Sequence, residues 1–202
     1  KKSKKKVVTS KITTTVQTTT TQQGSIANET AVSTTSSGTS VSQATAAASS
    51  SQNQSKYEAN VASVAGKMDN RVIAAYQQLG FKLVVDPSVN YSGYFDARSR
   101  SITMKQIDDS VYHELGHFLA FIAGNVDKTA SFQSIFVAEK ANVTAFNKAY
   151  VTQNASEYFA ESVKDYILNN ASLKNTRPQT YAAVQNALNQ ITDAQIAKIQ
   201  KI

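Results

Sequence analysis

The aromatic residues are confined to one part of the chain, and this distribution limits what can fold. All nine Tyr and eight Phe lie beyond Ser55, whereas residues 1–55 contain 25 Ser or Thr. A segment of this composition buries too little apolar surface to offset the conformational entropy lost on ordering. We therefore expect residues 1–55 to form a disordered, basic, Ser/Thr-rich tail or linker and residues 56–202 to form one domain.

The charge of the chain divides at the same point. The tail carries six Lys against a single acid, Glu29, while residues 56–202 carry 15 basic and 13 acidic residues. The folded part therefore has a net charge of only +2, which argues against binding to nucleic acid. The basic tail is suited to anionic cell-wall polymers. No run approaches the ~20 apolar residues of a membrane span, so we expect none.

Cysteine is absent from the chain. This excludes a disulfide scaffold, a thiol nucleophile and a thiolate metal site. A long Ser/Thr-rich linker attached to a domain without disulfides is typical of secreted or cell-wall-associated proteins of Gram-positive bacteria. We expect such a location, a monomeric protein, and an upstream segment that was removed or left out, because the chain begins at Lys1 rather than Met.

The spacing of apolar residues predicts a helix-rich α+β domain with a small sheet. Apolar residues recur at helical spacing from Tyr57 to Leu79, and Gly80 follows as a helix stop. Phe81–Val85 indicates a strand. The remaining predicted elements are a hairpin of Tyr91–Phe95 with Ser101–Met104, a helix capped by Asp109 or Ser110 and ending near Ala123, and helices over 131–150 (broken near 141), 156–170, 178–190 and 193–201.

The two histidines of the chain, His113 and His117, lie four residues apart in the segment His-Glu-Leu-Gly-His. On a helix these positions share one face, so both imidazoles can bind one ion. Glu114 projects from the next position and can reach water bound to that ion. This is the HExxH signature of a zinc hydrolase. We expect one Zn²⁺ per chain, with Glu114 as the general base.

A third zinc ligand must be a carboxylate, because a catalytic zinc has three protein ligands and the chain has neither a third histidine nor a cysteine. The downstream candidates are Glu139, Glu157, Glu161 and Asp165. Glu157 and Glu161 share one helical face, so one can bind the metal while Glu161 holds a histidine N–H. An ordinary solvated acidic face is the alternative for this pair. Glu139 has a spacing close to that of thermolysin-like enzymes, but without a second acid it resembles exposed surface charge.

Three features together resemble a known family: the His113–His117 motif, Tyr150, and the segment Glu-Tyr-Phe-Ala-Glu over residues 157–161. They are similar to the peptidase domain of anthrax lethal factor and to the secreted Pro-Pro endopeptidases of the same fold. The resemblance covers about 56–202 and implies a zincin-like metallopeptidase domain. It implies that His113, His117 and Glu157 bind zinc, that Glu114 is the base, and that Tyr150 stabilises the oxyanion or protonates the leaving amine.

The resemblance also concerns the substrate. In the family a hairpin strand just before the zinc helix pairs with extended substrate, and Ser99–Met104 occupies that place, which implies that Ser101 and Thr103 bind substrate. The Pro-Pro members carry a second acid directly before the zinc glutamate and a Trp in the substrate groove. This chain has Ser156 at the first position and contains no Trp. The resemblance therefore does not extend to a preference for proline.

The sequence as a whole predicts a secreted or cell-wall-associated zinc endopeptidase that hydrolyses extended protein segments. The alternative is a non-enzymatic surface adhesin or interaction module with a structural or vestigial zinc site. Glu114 favours the enzyme, because a purely structural site has no use for that carboxylate.

A chain that begins at Lys56 should keep the melting temperature and the peptide turnover of the full chain, because the tail brings no aromatic side chain that could pack onto the domain. Differential scanning calorimetry and peptide cleavage by the two chains test this. A clear loss of stability in the shorter chain would show that part of residues 1–55 packs onto the domain.

Overall fold

The computed structural model describes residues 55–201. The predicted tail therefore lies outside the described residues, except for Ser55. The helix-rich α+β class with a small sheet is confirmed. None of the helices in this part of the chain is long and apolar enough to cross a bilayer. The elements are β1 (Tyr57–Ala59), α1 (Val61–Val64), α2 (Asn70–Gln78), β2 (Lys82–Val85), β3 (Gly93–Asp96), β4 (Ser101–Met104), α3 (Ser110–Ile122), α4 (Ala130–Glu139), α5 (Lys148–Val151), α6 (Ala155–Leu168), α7 (Asn170–Thr176), α8 (Pro178–Asn189) and α9 (Asp193–Gln200).

The four strands form one sheet in the order β1-β2-β4-β3. β2 and β4 are parallel, while β1 pairs antiparallel with β2 and β3 pairs antiparallel with β4. Alternate residues of the two inner strands are buried, including Leu83, Ile102 and Met104, as the two-residue period of a strand requires. β3 is thus an edge strand of the described sheet, and it lies beside α3.

The helix that carries the histidine motif, α3, lies in the core and packs along α6. Its apolar side chains Leu115, Phe118 and Leu119 are fully buried. Gly116 faces Ala160 of α6, and a Cβ at Gly116 would lie 2.7 Å from both the Cα and the carbonyl oxygen of Ala160. Because glycine has no Cβ, the two helix backbones come into direct contact at this point.

The helix predicted from Tyr57 to Leu79 is wrong in its first half, where the structure has β1, α1 and a turn before α2. The side chain of Asn60 accepts hydrogen bonds from the backbone of α1, and Asp69 accepts one from the Arg71 N–H at the start of α2. Two separate N-caps therefore start two helices. The helix α7 was not predicted.

Two later helices begin at the predicted positions. At α3 the N-cap position is Asp109, one of the two predicted caps, but its side chain makes no capping hydrogen bond. Asp108 instead accepts the hydrogen bond from the Ser110 N–H at 2.9 Å. α8 begins at Pro178, as predicted.

Glu139 is buried, with 5% of its surface exposed, so its predicted exposure at the surface is wrong. Its carboxylate accepts hydrogen bonds from the N–H groups of Gln179 and Thr180, at 3.0 and 2.9 Å, and from the Thr180 hydroxyl at 2.7 Å. These N–H groups belong to the first turn of α8, where a helix has unpaired donors and favours a negative charge. Glu139 therefore joins α4 to α8.

Replacing this carboxylate, in Glu139→Ala, should lower the melting temperature by about 5–10 °C, because hydrogen bonds to a charged group contribute roughly 1.5–3 kcal/mol and buried donors lose their acceptor. Zinc content should not change. Glu58→Ala is the matched control, because Glu58 forms an exposed ion pair with Lys82 at 3.0 Å and such pairs contribute little. Equal thermal shifts in the two variants would contradict the role given to Glu139.

Candidate metal centre

α3 and α6 bring together three side chains that could hold a metal ion. His113 and His117 come from α3 and Glu157 from the first turn of α6, and their ligand atoms all lie within 4.8 Å of one another. The four-residue spacing places the two imidazoles on one face of α3, with ring centroids 5.0 Å apart. Asn154 caps α6 by accepting a hydrogen bond from the Glu157 N–H at 2.9 Å, which fixes where Glu157 enters the site.

The distances within this group fit a single ion. The Glu157 Oε2 atom lies 3.1 Å from His113 Nε2 and 3.7 Å from His117 Nε2. Ligand atoms bound tetrahedrally at the usual zinc distances are about 3.3 Å apart. Two imidazole nitrogens and one carboxylate oxygen form a donor set that is consistent with zinc and leave one position of the tetrahedron for water or substrate.

The predicted pair of Glu157 and Glu161 faces α3 rather than solvent. The Glu161 Oε2 atom lies 2.9 Å from His113 Nδ1, the ring nitrogen that points away from Glu157. Lys164 donates to the other oxygen of Glu161 at 3.2 Å. A carboxylate in this position fixes the orientation of the ring and leaves Nε2 free to bind a metal.

The charge of the site also favours a divalent cation. Glu114, Glu157 and Glu161 contribute three negative charges and Lys164 one positive charge, so the group carries a net −2 when both histidines are neutral. Several largely buried carboxylates with a net charge of this size are unfavourable unless opposite charge balances them. A divalent ion balances it.

In the metal-free protein, protonation of His113 provides part of this balance. Burial acts to lower the pKa of His113, but the hydrogen bonds to Glu157 and Glu161 raise it to about 9. Burial likewise acts to raise the pKa of Glu157, while its hydrogen bonds to His113 and His117 hold it well below the usual range.

Glu114 lies beside the metal ligands in an open cleft. A cavity of about 350 Å³ is lined by Gly93, His113, Glu114 and Tyr150, among other residues. A smaller one of about 190 Å³, lined by Glu114, Tyr150 and Glu157, adjoins the ligands on the side of His117. Glu114 itself is only 7% exposed, and burial raises its pKa.

Tyr150, which the sequence singled out through the family resemblance, lies at the end of α5 and lines both of these cavities. The residue is 53% exposed. Partial burial, together with the carboxylates of Glu157 and Glu114, raises the pKa of Tyr150 to about 12. The phenol therefore stays protonated near neutral pH and can donate a hydrogen bond into the cleft.

The predicted role of Ser101 and Thr103 in pairing with substrate is wrong. Both residues lie in β4, which is hydrogen-bonded to β2 on one side and to β3 on the other. Its backbone groups are therefore already used within the sheet. The strand next to the cleft is β3, whose Gly93, Tyr94 and Phe95 line the cavities.

Two residues that support the site were not predicted. Lys164 is three positions after Glu161 on the same helix, so helical spacing could have identified it. Asp127 lies outside α6 and is buried, and its carboxylate accepts a hydrogen bond from the hydroxyl of Ser156, the residue before Glu157. Nothing in the local sequence around Asp127 indicates this contact.

Comparison with known proteins identifies a family match within this chain. Residues 97–187 match the family described as anthrax toxin lethal factor, N- and C-terminal domain. The match supports a lethal factor-like domain over this part of the chain. The matched segment contains both histidines, Tyr150, Glu157 and Glu161. It is shorter than the resemblance expected over about 56–202. A comparison with curated proteins found no match.

Zinc binding should release about one proton per ion at pH 7.5, because His113 has a pKa of about 9 in the metal-free protein and must lose its proton to bind a metal. Isothermal titration calorimetry in two buffers of different ionisation enthalpy measures this number. A binding enthalpy that is the same in both buffers would contradict the protonated His113.

The same raised pKa gives the sign of the pH dependence. Protonated His113, bonded to Glu157 and Glu161, stabilises the metal-free fold. This contribution of His113 is fully present below about pH 6.5, the pKa of a free histidine, and is lost as the pH rises through about 9. Zinc affinity should increase over the same range.

Proposed function

We propose that this protein is a zinc endopeptidase. The observation that carries the proposal is the position of Glu114, a carboxylate that shares an open cleft with the metal-ligand group of His113, His117 and Glu157. Structural zinc sites have four protein ligands and are closed. A three-ligand group that faces a cleft and has a carboxylate beside it is what hydrolysis requires.

The proposed reaction combines a metal ion with the acid–base chemistry of Glu114. His113, His117 and Glu157 would hold a zinc ion, which would lower the pKa of its bound water and polarise the peptide carbonyl. Glu114 accepts the proton of the attacking water and donates it to the leaving nitrogen. Because burial raises the pKa of Glu114, its protonated form is less costly in the second half of this reaction. Glu161 keeps His113 in the orientation needed for metal binding.

Tyr150 is proposed to act on the developing oxyanion. Its hydroxyl is protonated near neutral pH and its ring lines the same cavities as Glu114. A neutral donor in this position stabilises negative charge that develops on the carbonyl oxygen.

An extended peptide is proposed to bind along β3. The Lys105 N–H donates to the Ser92 carbonyl at 2.9 Å, which directs the backbone groups of Ser92 toward β4. In an antiparallel pair the next residues alternate, so the groups of Gly93 and Phe95 point away from β4. Such an edge can add a peptide strand through backbone hydrogen bonds, largely independent of its side chains.

We further propose that the protein acts outside the cell or at the cell wall. This rests on composition: residues 1–55 are rich in Ser and Thr and carry a net charge of +5, which suits an electrostatic association with anionic wall polymers.

Glu114→Gln should abolish peptide hydrolysis while zinc stays bound, because the amide keeps the size of the side chain but cannot accept the proton. Cleavage of casein and of a peptide library, with and without 1,10-phenanthroline, gives the activity, and elemental analysis gives the zinc content. If the zinc-loaded wild-type protein cleaves no peptide of the library, the non-enzymatic interaction module becomes the better interpretation.

Tyr150→Phe should lower kcat by about 10²–10³-fold, or roughly 3–4 kcal/mol of transition-state stabilisation, with zinc content and KM little changed. Tyr57→Phe is the matched control, since Tyr57 is comparably exposed but lies on β1, at the opposite edge of the sheet. A kcat for Tyr150→Phe that stays within a few-fold of wild type would remove Tyr150 from the mechanism.

A further inference from the structure

Gly93, in the edge strand β3, lies directly against the side chain of Glu114. A Cβ placed on Gly93 would be 2.6 Å from Oε1, 2.7 Å from Cγ and 2.9 Å from Cδ of Glu114. Cβ atoms in real proteins essentially never approach other heavy atoms within 3.0 Å. We propose that Gly93 is a positioning residue, whose missing side chain provides the space in which Glu114 is held for catalysis. This inference rests on the proposed role of Glu114 as general base.

Backbone conformation does not explain a glycine at this position. In the described part of the chain, the glycines with positive φ are Gly80 and Gly124, so Gly93 has a φ that other residues adopt readily. The constraint at Gly93 is therefore the contact with Glu114, and an alanine tests that contact without straining the backbone.

Glu114 cannot avoid such a Cβ by a small movement of its tip. The close contacts run from Cγ to Oε1, so the whole side chain would have to rotate. Its backbone is fixed in α3, next to the fully buried Leu115.

The strand cannot easily retreat either. Gly93 is paired with Met104, which is fully buried, and the adjacent Ser92 carbonyl is bonded to the Lys105 N–H. A side chain at position 93 would therefore displace the carboxylate from its place beside the metal ligands.

Gly93→Ala should lower kcat by about 10²-fold, the usual consequence of moving a catalytic group by about 1 Å, with KM and zinc content little changed. Gly66→Ala is the matched control, because a Cβ at Gly66 meets only the Ala62 carbonyl oxygen at 3.7 Å, an ordinary contact. A merely structural role for Gly93 would instead reduce zinc content or change KM. A kcat within threefold of wild type overturns the proposal.

A thermodynamic cycle tests the contact without any measurement of activity. Relative to Gly66→Ala, Gly93→Ala should lower the melting temperature of the zinc-free protein by roughly 2–10 °C, as overpacking does. In a Glu114→Ala background the same substitution should cost less than about 1 °C, because the atoms that it meets are gone.

An unchanged melting temperature in Gly93→Ala, or a loss that persists without the Glu114 side chain, overturns the proposal. If Gly93→Ala fails to fold, the Gly93→Ala/Glu114→Ala double variant must fold, and failure of both overturns it as well. Since the cycle needs no substrate, it remains decisive if the protein proves to have no peptidase activity, which would refute the proposed function separately.

Discussion

The close approach of α3 to α6 determines the geometry of the site. At Gly116 the two helix backbones touch, because a Cβ there would lie 2.7 Å from the backbone of Ala160. Gly116 lies between the two histidines in the sequence, and Ala160 lies between Glu157 and Glu161. One contact between backbones therefore brings both carboxylates to the histidines. A larger residue at Gly116 would separate the helices and lengthen the distances from Glu157 and Glu161 to the histidines.

The negative charge that the fold collects at this site is the second constraint, and it favours binding of a cation. Burying several carboxylates in one place is unfavourable, and the structure offsets this with Lys164 and with a proton on His113 whose pKa is about 9. A divalent cation bound by His113, His117 and Glu157 would replace this proton and balance the remaining negative charge. Since an ion that binds the native state stabilises it, zinc should act as part of the folded structure and not only as part of the chemistry.

Local sequence patterns predicted the parts of the site that lie on one element. A four-residue spacing places His113 and His117 on one helical face, and the same spacing does so for Glu157 and Glu161. In the structure the histidine pair faces the glutamate pair. Tyr150 entered only through the family resemblance, because a tyrosine at the end of a short helix has no distinctive local signal.

Features that depend on tertiary pairing could not be predicted in this way. The sequence predicted the hairpin of β3 and β4 but not the order of strands in the sheet, in which β4 is an inner strand and β3 an edge strand. Glu139 lies about 40 residues before the helix that it caps, so its burial had no local signal. Gly93 and Asp127 are likewise defined by contacts with distant residues.

The most direct measurement of the central claim, that His113, His117 and Glu157 bind one zinc ion, is anomalous X-ray diffraction at the zinc edge from crystals of the zinc-loaded protein. A single peak within bonding distance of His113 Nε2, His117 Nε2 and a Glu157 carboxylate oxygen is the expected result; a protein that takes up no zinc, or a peak bound by other residues, would contradict it.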